Sequence, residues 1–203
     1  MIDWSGFLSQ WNAELISSPR LREELRNVSN GDLERAVENG WLGYPGATEA
    51  ELVAAEHRVG MQLPPSYRSF LATSNGWLLP GYCIPKLWST HEIEWLPTRH
   101  RESINAWLEG EHLGTESTIA AIPDSEYFVY GEAQDTVTMR SEYLPTALDI
   151  SAVEIVGTAM YLLNPQVIVG GEWEAWLWAH WLAGAYRYRS FEELMLGAYQ
   201  TFQ

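Results

Sequence analysis

Residues 46–76 read GATEAELVAAEHRVGMQLPPSYRSFLATSNG, and this stretch decides the fold because it carries two helix signals in tandem. Thr48 and Glu51 form a capping box, which satisfies two free backbone donors at the start of a helix. The pattern predicts one helix over residues 48–59 and a second over residues 65–74, since proline is tolerated in a first helical turn. So short a link predicts an antiparallel or sharply angled helix pair.

The apolar side chains of these elements define an expected core. Tyr67, Phe70 and Leu71 share one face of the second helix and are predicted to be buried. A second capping box at residues 190–193 begins an amphipathic helix, which we expect over residues 191–199.

Short helices are also predicted near the start of the chain. Leu8, Trp11 and Leu15 follow the spacing of a single helical face. We expect residues 1–40 to form an N-terminal helical extension that packs on a main domain spanning residues 41–203.

The middle of the chain mixes strand and loop signals. Short strands and loops are predicted over residues 77–96, and strands at residues 127–130, 159–163 and 166–169. Gly170 and Gly171 suit the turn of a hairpin that follows the last of these. A short helix is expected over residues 102–108, and residues 143–150 fit either a helical turn or an irregular strand.

The most aromatic stretch, residues 172–181, predicts a central strand because both of its faces carry aromatic side chains. One face is expected to carry Glu172, Glu174, Trp176, Trp178 and His180. Paired carboxylates on a strand leave a hydrolase open as a hypothesis, although such charges are usually solvated. The two tryptophans suit stacking on a sugar or a base, but core packing is the more frequent role of the residue.

Composition excludes several classes of function. The chain has 203 residues, of which 46% are hydrophobic, and its 12 basic and 27 acidic side chains give a net charge of −15. Such a chain has enough apolar residues for a sizeable core. Binding to nucleic acid needs clustered lysine and arginine, as does attraction to an anionic membrane. We therefore expect neither as a partner.

Cys83 is the only cysteine, so neither an intrachain disulfide nor a cysteine-based zinc site is available. A thiol nucleophile paired with His57 or His91 is conceivable, but free cysteine is usually a small buried hydrophobic residue. No basic start followed by an apolar run marks a secretory signal. We expect a cytoplasmic protein with no cofactor and no metal site.

The acidic residues are concentrated in the middle of the chain. Residues 92–154 contain 13 acidic and three basic side chains, so ten of the fifteen net negative charges lie there. One interpretation is solubility; the other is a surface that attracts a basic protein partner. The candidate partner-binding residues are Glu92, Glu94, Glu109, Glu111, Glu116, Asp124, Glu126, Tyr127 and Tyr130.

Several fixed spacings carry a family resemblance. In the first part these are Gly46-Ala47-Thr48-Glu49, Leu52, Glu56, Leu63-Pro64, Tyr67, Phe70-Leu71 and Asn75-Gly76. Near the C-terminus they are Leu162-Leu163-Asn164-Pro165, Gly171-Glu172-Trp173-Glu174 and Ser190-Phe191. With these residues the chain resembles the SUKH superfamily, whose domain is also called Smi/Knr-like.

The resemblance implies an α+β fold with helices flanking a mostly antiparallel sheet. It also implies an interaction protein and not an enzyme. Bacterial members of the superfamily are largely immunity proteins that neutralise polymorphic toxins, often nucleases or deaminases, by binding them. We therefore expect an immunity protein that occludes a basic toxin domain. The alternative is a regulatory interaction module with no toxin partner, like the fungal relatives that regulate cell-wall synthesis.

Overall fold

Helices cover an antiparallel sheet, which confirms the α+β class. The computed structural model describes residues 2–19, 21, 23, 31–81, 83–113, 122–153, 159–179 and 181–202, without the side chains of residues 103 and 106–113. The helices used below are α1 Trp4–Ile16, α2 Gly31–Asn39, α3 Glu49–Val59, α4 Pro65–Thr73, α5 Leu96–Leu113, α6 Asp124–Tyr127 and α7 Phe191–Phe202.

The strands form two sheets. A small antiparallel pair consists of β1 Trp77–Gly81 and β2 Ile84–Leu87. The main sheet has the order β3-β4-β5-β6-β7, with every neighbouring pair antiparallel. Its strands are β3 Glu94–Trp95, β4 Leu148–Asp149, β5 Ala159–Val169, β6 Glu172–Ala179 and β7 Ala185–Tyr188.

The helix pair α3–α4 forms as its capping signals predict. Thr48 Oγ1 accepts a hydrogen bond from the Glu51 backbone at 3.3 Å, and a Glu51 carboxylate oxygen accepts one from the Thr48 backbone at 2.8 Å. Gly60 ends α3 with a φ of 73°, a left-handed conformation that costs glycine little. The expected helices over residues 48–59 and 65–74 are confirmed to within one residue.

The predicted core is also confirmed. Tyr67, Phe70 and Leu71 are fully buried. The ring centroid of Phe70 lies 5.0 Å from that of Phe191, where the predicted C-terminal helix begins. The last helix thereby packs on the second helix of the front pair.

Helix α1 takes part in the same core. Its Leu8, Trp11 and Leu15 are buried, and the rings of Trp11 and Trp77 are 6.3 Å apart. The Asn12 side chain accepts a hydrogen bond from the Leu42 backbone at 2.9 Å. The domain boundary at residue 40 stays a prediction, but α1 does not stand apart from the core.

Strand β6 lies between β5 and β7 with side chains buried on both faces, as its aromatic pattern predicts. Trp173 and Ala175 belong to the larger hydrophobic cluster beneath the helices. Trp176 and Trp178 belong to a second cluster on the opposite face, so core packing is the correct interpretation of these two residues. His180 lies outside the described residues.

Three local predictions differ from the structure. The strand expected over residues 127–130 is wrong, because residues 124–127 form the helical turn α6, which follows Pro123. Helix α5 extends beyond the predicted 102–108 at both ends and is kinked at His100, whose φ of −125° and ψ of 34° are not helical. The strands expected at 159–163 and 166–169 are one strand, β5, whose register shifts between Asn164 and Ile168, around Pro165.

Candidate protein-interaction surface

The acid-rich part of the chain that the structure describes most fully is residues 122–142, here called the acidic segment. It contains five acids and one base, a net charge of −4. All five acidic side chains are exposed, namely Asp124, Glu126, Glu132, Asp135 and Glu142. The base, Arg140, lies 2.5 Å from Asp124, so four of the acids lack a basic partner within the segment.

Local turn chemistry shapes the acidic segment. Pro123 precedes α6, and Gly131 has a φ of 73° at the start of a 3-10 turn. The Asp135 side chain accepts a hydrogen bond from the Val137 backbone at 3.1 Å, an Asx-type turn. These turns bend the chain on both sides of residues 127–130, the stretch that was expected to form a strand.

Exposed apolar side chains accompany the acids. The side chain of Phe128 is 44% exposed and that of Val137 is 52% exposed. Aromatic and apolar groups in an otherwise polar surface are the usual centre of a protein interface.

The acidic segment is attached to the main sheet through a buried carboxylate on β6. Glu174 is 1% exposed and accepts four side-chain hydrogen bonds. Two come from the acidic segment, from the hydroxyls of Tyr127 at 2.6 Å and Tyr130 at 2.8 Å. The others come from Asn164 at 3.0 Å and the Trp176 indole at 2.7 Å. With four donors the buried charge is well solvated by the protein.

A buried arginine on β7 contacts both Glu174 and the acidic segment. Arg187 is fully buried, with Nη1 3.8 Å from Glu174 Oε1. Its guanidinium donates to the backbone carbonyls of Tyr127 and Val129 and, at 2.9 Å, to Thr138 Oγ1. Guanidinium nitrogens present several donors in a fixed planar array, which suits several acceptors at once.

The outer edge of β7 is covered by the same segment. The Gln134 side chain exchanges two hydrogen bonds with the backbone of Arg187, at 2.8 and 3.3 Å. The Ala185 backbone donates to the Thr136 carbonyl at 3.1 Å. The acidic segment therefore occupies the place that an added strand would take.

These contacts change the acidity of two tyrosines. Burial, and then the charge of Glu174, raise the pKa of the Tyr127 hydroxyl far above the usual 10.0. The same causes raise the pKa of Tyr130. Both hydroxyls stay protonated in the folded protein at pH values where they ionise in the unfolded chain.

This difference predicts a specific alkaline instability. Above about pH 10 the unfolded state releases protons that the folded state keeps, so the free energy of unfolding is full below that pH and falls above it. We expect Tyr127→Phe/Tyr130→Phe to make this decline shallower, each tyrosine removing a slope of up to about 1.4 kcal/mol per pH unit. Urea unfolding between pH 8 and about pH 11 measures the slope. The exposed Tyr186→Phe is the control, and an unchanged slope in the double variant contradicts the prediction.

The other candidate partner-binding residues have different surroundings. Glu92 is half-buried and binds Lys86 at 3.1 Å and Ser89 Oγ at 2.7 Å. Burial opposes the effect, but the Ser89 hydrogen bonds and the charge of Lys86 hold the pKa of Glu92 below its usual value. Glu94 accepts a hydrogen bond from the Trp95 backbone at 3.0 Å.

Among the predicted site residues, Asp124 and Glu126 are exposed, Tyr130 is half-buried and Tyr127 is fully buried beneath the segment. The side chains of Glu109 and Glu111, and all of Glu116, lie outside the described residues. The ring of Tyr127 anchors the segment from below and is not available as a surface contact. Sequence reasoning missed Glu174 and Arg187 as its attachment points, because no local pattern connects them to it.

Glu172 and Glu174, the two carboxylates considered as a hydrolytic pair, bind separate groups in the structure. Glu172 accepts hydrogen bonds from the backbone and hydroxyl of Ser66, at 2.9 and 2.6 Å, and so caps the start of α4. Glu174 is surrounded by the donors described above, so it is not the solvated strand charge that its position suggested. The two carboxylates share none of these hydrogen-bond partners.

A metal-binding cluster and a membrane-spanning helix are both absent from the described residues. No three histidine, cysteine, aspartate or glutamate side chains among them lie close enough to hold a metal ion together. Within the same residues, every helix is too short or too polar to cross a membrane. Cys83 is half-buried and has a φ of 58°.

Comparison with known proteins points to one family. A family model described as SMI1 / KNR4 family (SUKH-1) matches residues 46–197. The match includes the helix pair α3–α4, the main sheet and the acidic segment. No curated protein matches the chain.

Proposed function

This chain belongs to the SMI1/KNR4 (SUKH-1) family, and from that premise we propose that it is an immunity protein. In this proposal it binds a cognate polymorphic toxin, such as a nuclease or a deaminase, in the cytoplasm. It neutralises the toxin by covering the toxin's working surface and carries out no catalysis of its own.

The observation that carries the proposal is the acidic segment. Four exposed acids that lack a base within the segment lie beside the exposed Phe128 and Val137, and the main sheet holds this surface in place. A toxin that acts on nucleic acid needs a basic surface for the phosphates of its substrate. An acidic surface complements that basic one and competes with the substrate for it.

Charge and apolar contact have separate roles in this mechanism. The exposed acids accelerate the encounter with a basic partner by electrostatic steering. The apolar side chains, once desolvated at the centre of the contact, slow dissociation. Loops held by a rigid sheet are the usual position for such contacts.

Charge reversal within the acidic segment tests the steering. We expect Glu126→Lys/Glu132→Lys/Glu142→Lys to slow association with the purified toxin domain by about tenfold or more at low salt. Stopped-flow mixing at several salt concentrations measures the rate. The difference from wild type should shrink as the Debye length falls to about 10 Å at 0.1 M salt.

A matched control separates local charge from net charge. Glu23, Glu34 and Glu38 are exposed acids outside the acidic segment, and their reversal to lysine changes the net charge by the same amount. We expect this control triple to alter the association rate much less. Equal slowing by both triples, or by neither, means that the acidic segment is not the binding surface.

Growth rescue tests the function itself. If a toxin domain is encoded beside this gene, it is expressed with and without the chain, and cell survival is measured together with binding of the two purified proteins. Survival that depends on the chain supports the immunity function. Absence of both rescue and binding, in a host where deletion of the gene alters cell-wall synthesis, favours the regulatory module instead.

A further inference from the structure

The attachment of the acidic segment depends on very few residues of the sheet. Apart from backbone contacts of Arg187 and Ala185, the hydrogen bonds that join it to β6 and β7 are made by the buried side chains of Glu174 and Arg187. Glu174 takes the two tyrosine hydroxyls of the segment, and Arg187 takes two of its carbonyls and the Thr138 hydroxyl.

We propose that Glu174 and Arg187 are positioning residues, which hold the acidic segment in the conformation that meets the partner. The inference rests on the function proposed above for the importance of that conformation. Both side chains are buried beneath the segment, so they act through it and do not touch the partner themselves.

The geometry explains why the segment needs such a pair. Between residues 122 and 142 the chain forms only short helical and 3-10 turns, which are too brief to be stable alone. Arg187 donates to carbonyls at residues 127 and 129 and to a hydroxyl at residue 138. A single guanidinium therefore connects the first turn of the segment with a later one. Lysine keeps the charge but has no planar array of donors to span these acceptors.

Holding the acidic segment in one conformation should increase its affinity for the partner. A segment already fixed in its bound conformation loses little conformational entropy on binding, and this raises affinity without any new contact. Release of the segment should therefore weaken binding while every surface residue is still present.

The experiment measures the segment directly in the free protein. Hydrogen–deuterium exchange follows the amides of residues 124–138, with the amides of β5 as the internal reference for global opening. Limited digestion with a glutamate-specific protease supplies a second readout, namely the rate of cleavage after Glu126 and Glu132 as located by mass spectrometry. The variants are Arg187→Lys and the milder Tyr130→Phe, which removes a single tether to Glu174. Tyr188→Phe, a half-buried tyrosine of β7 that packs near Gly197 of α7, is the control.

We expect both variants to accelerate exchange and cleavage of the segment by about tenfold or more, because hydrogen bonds to charged groups are lost. Exchange in β5 should stay much slower than exchange in the segment for every variant, and the control variant should exchange as the wild type does. Unchanged exchange of the segment in both variants overturns the inference. So does a segment whose amides exchange at the same rate as those of β5 in every variant, since such amides open only when the whole molecule unfolds.

The toxin domain used for the charge-reversal test then separates this inference from the proposed function. Slower or weaker binding by Arg187→Lys, together with a loosened segment, supports both. A loosened segment with binding unchanged retains the positioning role and overturns the location proposed for the binding surface.

Discussion

Deletion of residues 1–18 is expected to prevent folding of the rest of the chain. Helix α1 buries Trp4, Leu8, Trp11 and Leu15 in the larger hydrophobic cluster. Full burial of each such side chain contributes about 1.5–3 kcal/mol. Four of them together are comparable with the whole stability of a typical domain, about 5–15 kcal/mol.

Aromatic contacts between α1 and the rest of the core support the expected loss of folding. The Trp4 ring lies 5.4 Å from that of Phe70 and 5.5 Å from that of Phe191, in the helix pair and the C-terminal helix. Truncation exposes these apolar surfaces to water. We therefore expect loss of soluble protein, or a circular dichroism spectrum without cooperative thermal unfolding.

A single substitution in α1 gives a change in the free energy of unfolding that can be measured. Trp11→Ala should lower the free energy of unfolding by about 3–5 kcal/mol, because a large ring leaves a cavity that the core fills only in part. The exposed Ser9→Ala on the same helix should change it by less than about 0.5 kcal/mol. A fragment of residues 19–203 that unfolds cooperatively at the wild-type temperature contradicts the prediction.

Glu174→Gln is expected to lower the free energy of unfolding by about 3–5 kcal/mol, the cost of breaking a buried ion pair from one side. Four donors surround the carboxylate, and an amide nitrogen in place of one oxygen faces donors where acceptors are needed. The substitution also leaves the charge of Arg187 buried without its counterion.

Glu172→Gln is the matched comparison on the same strand. Glu172 accepts two hydrogen bonds from Ser66, in half-buried surroundings. Its substitution should cost about 0.5–2 kcal/mol, as for other helix-capping groups. Urea unfolding of both variants measures the difference, and equal costs count against a special role for Glu174.

A double variant measures the interaction energy between Glu174 and Arg187 separately from their contacts with other groups. Glu174→Gln/Arg187→Met removes both charges, so its cost should be smaller than the sum of the two single costs. Strict additivity means that the two residues act independently of each other.

Local signals in the sequence were sufficient for the helix pair. Thr48 and Glu51 lie three residues apart, and Gly60 ends the same helix, so every group that begins or ends α3 lies in that short stretch. The burial of Tyr67, Phe70 and Leu71 follows from helical spacing in the same way. The aromatic alternation of β6 was likewise enough to predict a strand covered on both faces.

The conformation of residues 127–130 was decided by distant groups. Their composition, Tyr-Phe-Val-Tyr, favours a strand. In the folded protein, however, the Tyr127 hydroxyl binds a carboxylate 47 residues away, and its carbonyl binds a guanidinium 60 residues away. Intrinsic strand preference is weak, and buried hydrogen bonds to charged groups outweigh it.

The sequence by itself determined the family, the α+β class, the two ends of α3 and the large excess of acids, because each depends on spacing or composition. Only the tertiary structure decided which acid is buried and which are exposed. A glutamate on a strand is solvated unless the fold surrounds it with donors. Glu174 has such donors because the chain brings Tyr127, Tyr130 and Asn164 to it from separate segments.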